Sequence, residues 1–184
     1  IRNGIIPCPD PTPPMPQVHT CMESFELVTE LQISKLIAAS PNKTSELDPM
    51  PTQMVKMCAD ELCPVITRIV NASLTEGLFP EAYKDSTLRP LLKKTGLDAD
   101  ELNNYRPIAN LTFVSKLLEK VVASQLMSYL TGNNLTDIHQ SAYKANHSTE
   151  TALLHVHDAM IRAIGEGNAV LFIMIDLSAA FDTV

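Results

Sequence analysis

The sequence predicts a fold of mixed helix and strand, on three observations. Ala169 to Ile175 is a continuous apolar run, rich in β-branched and aromatic residues and preceded by Gly165 and Gly167. Such a run reads as a strand buried on both faces of a sheet. Ser86 to Leu92 reads as a second strand, and four other stretches carry apolar residues at helical spacing.

Taken in order, the chain begins with a segment unsuited to either element. Six prolines lie between Pro7 and Pro16, each fixing φ and removing a backbone donor, so residues 1–20 are expected to be a linker. Thr20 with Glu23 has the form of a capping box, and Phe25, Val28, Leu31 and Leu36 follow at near-helical spacing. A helix is expected from there to about Ala39. Ser40 to Ser45 breaks it. The apolar residues from Met54 to Val70 predict a helix over 52–74, kinked or broken by Pro64, with Met54 and Met57 as core filler. Gly77-Leu78-Phe79-Pro80 ends that segment.

The Ser86–Leu92 strand leads to Lys93 and Lys94, then to a polar loop through Asn103. A lysine pair there is read first as solvated loop charge. Arg106 precedes Pro107, which holds it in an extended conformation with its planar fork free for phosphate or for a structural carboxylate. Val114 to Leu130 repeats apolar residues at helical spacing, opened by Thr112 or Ser115 and closed by Gly132. Lys116 and Glu119 on its polar face are spaced as an ordinary surface pair. Ser148 caps a last helix whose stripe of Ala152, Leu153, Val156, Met160, Ala163 and Ile164 is expected to be buried, ending near Gly165.

Bulk properties narrow the class. At 184 residues and 45% apolar, the chain can build a core, and no run of 18 apolar residues exists to cross a membrane. Cys8, Cys21, Cys58 and Cys63 follow neither a zinc pattern nor that of a secreted disulfide scaffold. They read as reduced thiols, and with no secretory signal the expected location is intracellular, cytoplasmic or nuclear. The first residue is Ile and the chain stops eight residues after Asp176, so a fragment of something longer on both sides is expected. A net charge of −7 argues against a dedicated nucleic-acid-binding domain. Residues 84–144, however, hold 8 basic and 6 acidic side chains, against 5 and 10 before them and 1 and 5 after. Any phosphate-facing surface must come mainly from the middle third.

The carboxylate closing the apolar run is the sharpest chemical signal. Asp176 and Asp182 stand six residues apart, separated by the small Ser178, Ala179 and Ala180 and by Phe181. An acid at a strand's end is hydrogen-bonded to backbone, caps a turn or holds a cation. Small neighbours leave room for a ligand, and an oxygen-rich strand end suits Mg²⁺ with substrate phosphates. His147, His155 and His157 share no metal-binding spacing, since His155 and His157 point about 200° apart on a helix.

Asp176-Leu177-Ser178-Ala179-Ala180-Phe181-Asp182 at the end of an apolar strand resembles the first catalytic-aspartate motif of reverse transcriptases, nearest to those of non-LTR retrotransposons of the long interspersed element type. Three further stretches agree in order and approximate spacing: Arg89 to Lys94; Asn104 to Leu111 with Lys116 to Lys120; and Gln140 to Lys144 with His147 to Thr149. The four together span about Phe25 to Val184.

The resemblance implies an α+β fold, the fingers and partial palm of a right-hand polymerase over residues 21–184, with the linker once joining it to a preceding endonuclease domain. It implies a complete enzyme that extends a DNA primer on an RNA template from deoxynucleoside triphosphates, by in-line attack with two Mg²⁺ ions. Asp176 would ligate both ions, assisted by the backbone carbonyl of Leu177. Lys93 and Arg106 would face the incoming triphosphate, Lys94 and Lys144 nucleic acid, and Phe181 the sugar, rejecting a 2′-hydroxyl. The family's second acidic motif, a Tyr-x-Asp-Asp turn, is not in this sequence, so the chain alone is expected to be inactive. In two places the sequence departs from the family pattern. Glu46-Leu47-Asp48 stands where Gly-x-Asp is common, and Ala142 where Gly is usual, which hinders the site if that glycine serves a positive φ or close backbone approach. Two other readings remain: a non-catalytic remnant with weak nucleic-acid or protein binding, and an unrelated phosphotransferase with Asp176 as nucleophile. The latter expects a second Asp where Ser178 stands.

Overall fold

The computed structural model describes residues 21–176. The expected linker over 1–20, the roles given to Leu177 and Phe181, and Asp182 lie outside the described residues. The chain divides between Leu135 and Thr136 into two compact units.

The first unit is built on three helices: α1 (Glu30–Ala39), α3 (Ala59–Glu76) and α4 (Phe113–Gly132). Their buried residues recur at helical spacing, Ile33 and Ile37 on α1, Cys63, Ile66, Val70 and Leu74 on α3, and Phe113, Leu117, Leu118 and Val121 on α4. Val28 and Val55 complete this core. Removing a side chain of this size from water contributes about 1.5–3 kcal/mol. The stripes of the three helices therefore hold the unit together.

Two boundaries differ from the sequence expectation. The first helix starts at Glu30, not Thr20, because Thr29 and Gln32 form the capping box: Gln32 N–H donates to Thr29 Oγ1 at 3.3 Å and Thr29 N–H to Gln32 Oε1 at 2.8 Å. The preceding backbone is held by distant amides instead. Val28 N–H donates to Asn71 Oδ1 at 2.8 Å while Asn71 Nδ2 donates to Val28 O at 2.9 Å. Gln125 grips Glu26 the same way, with both bonds at 2.8 Å. Each amide takes the place a neighbouring strand would fill.

The second helical stretch breaks at Cys58, giving α2 (Thr52–Met57) and α3, while the chain runs helically through Pro64. Thr52 and Val55 are the buried side of α2, so Met54 and Met57 face outward and are exposed rather than core filler. Gly77 closes α3 at φ 65°, a left-handed conformation that costs glycine little.

β1 (Ser86–Leu92) forms where expected and pairs antiparallel with β2 (Tyr105–Leu111). Pro90 lies directly opposite Pro107. The ladder tolerates this because the pair is of the non-hydrogen-bonded kind. Lys93 N–H donates to Asn104 O at 2.8 Å, and alternation from that bond turns the nitrogens at 90 and 107 outward. Thr112 then caps α4, accepting from Ser115 N–H at 3.3 Å.

In the second unit, Ser148 caps α5 (Thr149–Gly165) as the sequence predicts, and does so through a capping box with Thr151. Its apolar stripe is not buried. Ala152, Val156, Met160 and Ala163 are half-buried, and Leu153 and Ile164 are exposed. The strand expected over Ala169–Ile175 is likewise absent. These residues form no regular element, and Leu171 and Ile175 are 85% and 87% exposed. A strand exists only when another extended segment pairs with it, and among the described residues the one sheet is the β1–β2 pair. Among the described residues no helix is long and apolar enough to cross a membrane.

Candidate nucleic-acid interface

Alternation along the hairpin sorts its side chains onto two faces, and direct cross-strand partners share a face. Arg89 faces Ile108 and Leu91 faces Arg106, so Arg89, Leu91, Arg106, Ile108 and Asn110 lie on one side. Continuing the ladder past β1 brings Lys93 to that side too. Three cations therefore group on one face of a two-stranded ribbon.

Their engagements differ. Lys93 Nζ donates to Asn103 O at 2.6 Å across the mouth of the loop. Arg89 is paired with Glu46. Arg106 is exposed and, among the described residues, forms no ion pair. Its guanidinium is left to present its planar fork to an anion. Lys94 is exposed at the start of the loop. That loop is ordered by Tyr105 Oη donating to Ala99 O at 3.0 Å and by Asn104 Nδ2 donating to Asp98 O at 2.9 Å.

Arg89 was not singled out in the sequence. Its alignment with Arg106 depends on the register across the loop, although its even spacing of four from Lys93 puts those two on one side of a strand.

One carboxylate ties the hairpin, the loop after α1 and the start of α4 together. Asp48 Oδ1 accepts from Phe113 N–H and Oδ2 from Ser45 N–H, both at 2.7 Å, and Ser45 Oγ donates to Asn110 O at 3.3 Å. The acid thus caps α4 while holding the loop that follows α1 against the end of β2. This accounts for the Glu46-Leu47-Asp48 variant: the Asp performs the tethering, and Glu46 in place of a glycine supplies the partner of Arg89. Lys116 does not pair with Glu119 as expected. Its Nζ donates to Asn110 Oδ1 at 2.7 Å, a neutral acceptor brought within reach by β2.

The remaining sequence-predicted residues stand in the second unit. Lys144 is half-buried and Asp176 is exposed at the end of the described chain. The positive φ in the Gln140–Lys144 stretch falls on Tyr143, at 60°, not on Ala142. The alanine therefore meets no left-handed strain, and the hindrance that would follow from such a φ does not arise. His155 lies beside His139, with ring centroids 5.6 Å apart. Among the described residues no three His, Cys, Asp or Glu side chains come together as a metal site.

No family model matches the chain. It is 24% identical over 158 residues to an RNA-directed DNA polymerase from mobile element jockey of Drosophila melanogaster, covering 85% of this chain and 17% of that protein. Two further Drosophila melanogaster proteins are similar. One is a probable RNA-directed DNA polymerase from transposon X-element, 26% identical over 149 residues, 81% of this chain and 16% of the relative. The other, from transposon BS, is 28% identical over 116 residues, 63% of this chain and 13% of the relative. The chain thus spans less than a fifth of the length of the curated relatives it matches. Over most of its own length it is similar to the RNA-directed DNA polymerases of mobile elements.

Proposed function

We propose that this chain is the fingers and the beginning of the palm of a right-hand, RNA-directed DNA polymerase of a non-LTR retrotransposon. The complete enzyme extends a DNA primer on an RNA template from deoxynucleoside triphosphates. The observation that carries this reading is the similarity to polymerases of several mobile elements over as much as 88% of the chain. The cationic face of the hairpin supports it.

In this reading Arg106 receives the triphosphate of the incoming nucleotide, its fork neutralising charge as the α-phosphate is attacked in line by the primer's 3′ hydroxyl. Lys93 adds a second cation, while Lys94 and Lys144 face nucleic acid. By the family resemblance, Phe181 would meet the sugar and exclude a 2′-hydroxyl. Asp176, an exposed carboxylate, is the hard oxygen donor that Mg²⁺ takes, and with the carbonyl of Leu177 it would supply ligands to the ions. When bound, Mg²⁺ stabilises the attacking and leaving oxygens. One carboxylate does not hold two divalent ions against their mutual repulsion, so this chain by itself supports no polymerisation.

Two measurements test the reading. Calorimetric titration of the purified chain with dTTP should show binding that Arg106→Gln weakens about tenfold, equivalent to about 1.4 kcal/mol, near the low end of what a hydrogen bond to a charged group contributes. Equal affinity in the variant would remove Arg106 from the site. Primer extension should give no product, and a product that vanished in Asp176→Asn would overturn the inactivity of the isolated chain.

A further inference from the structure

Between α1 and α4 runs a furrow that plays no part in the reading above. It comprises two adjoining hollows of about 390 Å³ and 400 Å³ that share Lys120. Its floor is apolar, formed by Phe113 in one hollow and by Leu36 and Val121 in the other. Lys43 and Lys116 line one end, Lys120 the middle and Lys35 the far side, against a single carboxylate, Glu119. In a chain of net charge −7 with 14 basic residues, four cations on one furrow are a strong local concentration.

None of the four lysines is in an ion pair among the described residues. Lys120 Nζ makes a long contact of 3.4 Å to Ser40 Oγ, and Lys116 is held by Asn110. Lys116 and Lys120 stand about 6 Å apart along α4. Asn110 lies on the hairpin face that carries Arg89 and Arg106, so the furrow joins that face at Lys116. A path of unpaired cations leading from a furrow to a second cationic surface suits a linear chain of evenly spaced negative charges better than a compact acidic partner.

We infer that the α1–α4 furrow, through Lys35, Lys43 and Lys120, binds the phosphodiester backbone of a single-stranded nucleic acid that continues onto the hairpin face. The inference rests on the polymerase reading and adds to it a binding segment remote in sequence from all four motifs except at Lys116 and Lys120.

The test is fluorescence anisotropy of a labelled single-stranded oligodeoxythymidine 20-mer with the full 184-residue chain at salt concentrations from about 50 to 200 mM, the range over which phosphate contacts govern affinity. Each lost phosphate contact lowers the slope of log K against log salt by about 0.7 for single strands. The combined Lys35→Gln, Lys43→Gln, Lys120→Gln variant should therefore lose about 2 from the slope. The same three positions changed to Arg should keep it. An unchanged slope in the Gln variant overturns the inference, as does failure of the oligonucleotide to bind at any salt. Overturning also follows if poly-L-glutamate binds with the same lysine dependence while the oligonucleotide slope stays constant. A Lys93→Gln, Arg106→Gln variant separates the two readings. If it lowers the slope and the furrow variant does not, the furrow fails alone. A loss in the furrow variant only leaves the furrow standing and counts against the hairpin.

Discussion

α4 and α5 are helices of similar design with opposite outcomes. Both are opened by a hydroxyl cap that the sequence announces, and both carry an apolar stripe. On α4 the stripe is buried as far as Val121, Leu117 and Leu118 each being 1% exposed; on α5 no residue is buried. Periodicity states which side chains gain from leaving water. It does not supply the surface they leave it for.

Four substitutions probe that contrast, beginning with the pair that should differ most. Leu117→Ala should cost about 2–5 kcal/mol, a core truncation with its cavity, whereas Leu153→Ala on α5 should stay within about 0.5 kcal/mol. Urea midpoints measure both. Equal losses would mean that α5 is as firmly packed as α4, and the contrast would collapse.

Asp48→Ala comes next, because two backbone donors lose their shared acceptor; about 1–3 kcal/mol is expected. Faster hydrogen exchange at Phe113 than at Leu118 would localise the loss to the start of α4. Glu46→Gly should cost less than Asp48→Ala. Its pair with Arg89 is exposed on both sides, and such pairs are worth about 0–1 kcal/mol and weaken with salt. A larger and salt-independent loss would show that Glu46 does more than meet Arg89.

Local chemistry made much of the fold legible. Thr112, Ser148 and Gly77 mark ends because caps act over three or four residues, and the bounds of β1 followed from residue type and the lysines after it. What escaped is non-local. The Thr20–Glu23 pattern is a good capping box, but the backbone beyond it is held by Asn71 and Gln125, 43 and 99 residues away from the groups they grip. The grouping of Arg89 with Arg106 needs a register, and a register needs both strands. The Ala169–Ile175 run has every property of a buried strand except a partner. For the site, Lys93 and Arg106 were found through motif resemblance and share a face in the hairpin. Arg89 and the tether at Asp48 became visible only with the fold.

The facing prolines of the hairpin bear on how this chain behaves in concentrated solution. A two-stranded ribbon offers two open edges on which a neighbour could template itself, but Pro90 and Pro107 leave a missing donor on both, so an added strand finds a broken ladder on either side. The 169–175 run has no such guard: it is uncharged, proline-free and exposed. Self-association into cross-β aggregates should therefore begin at this run and spare the hairpin, making it the first place to insert a charged gatekeeper when the protein is produced for study.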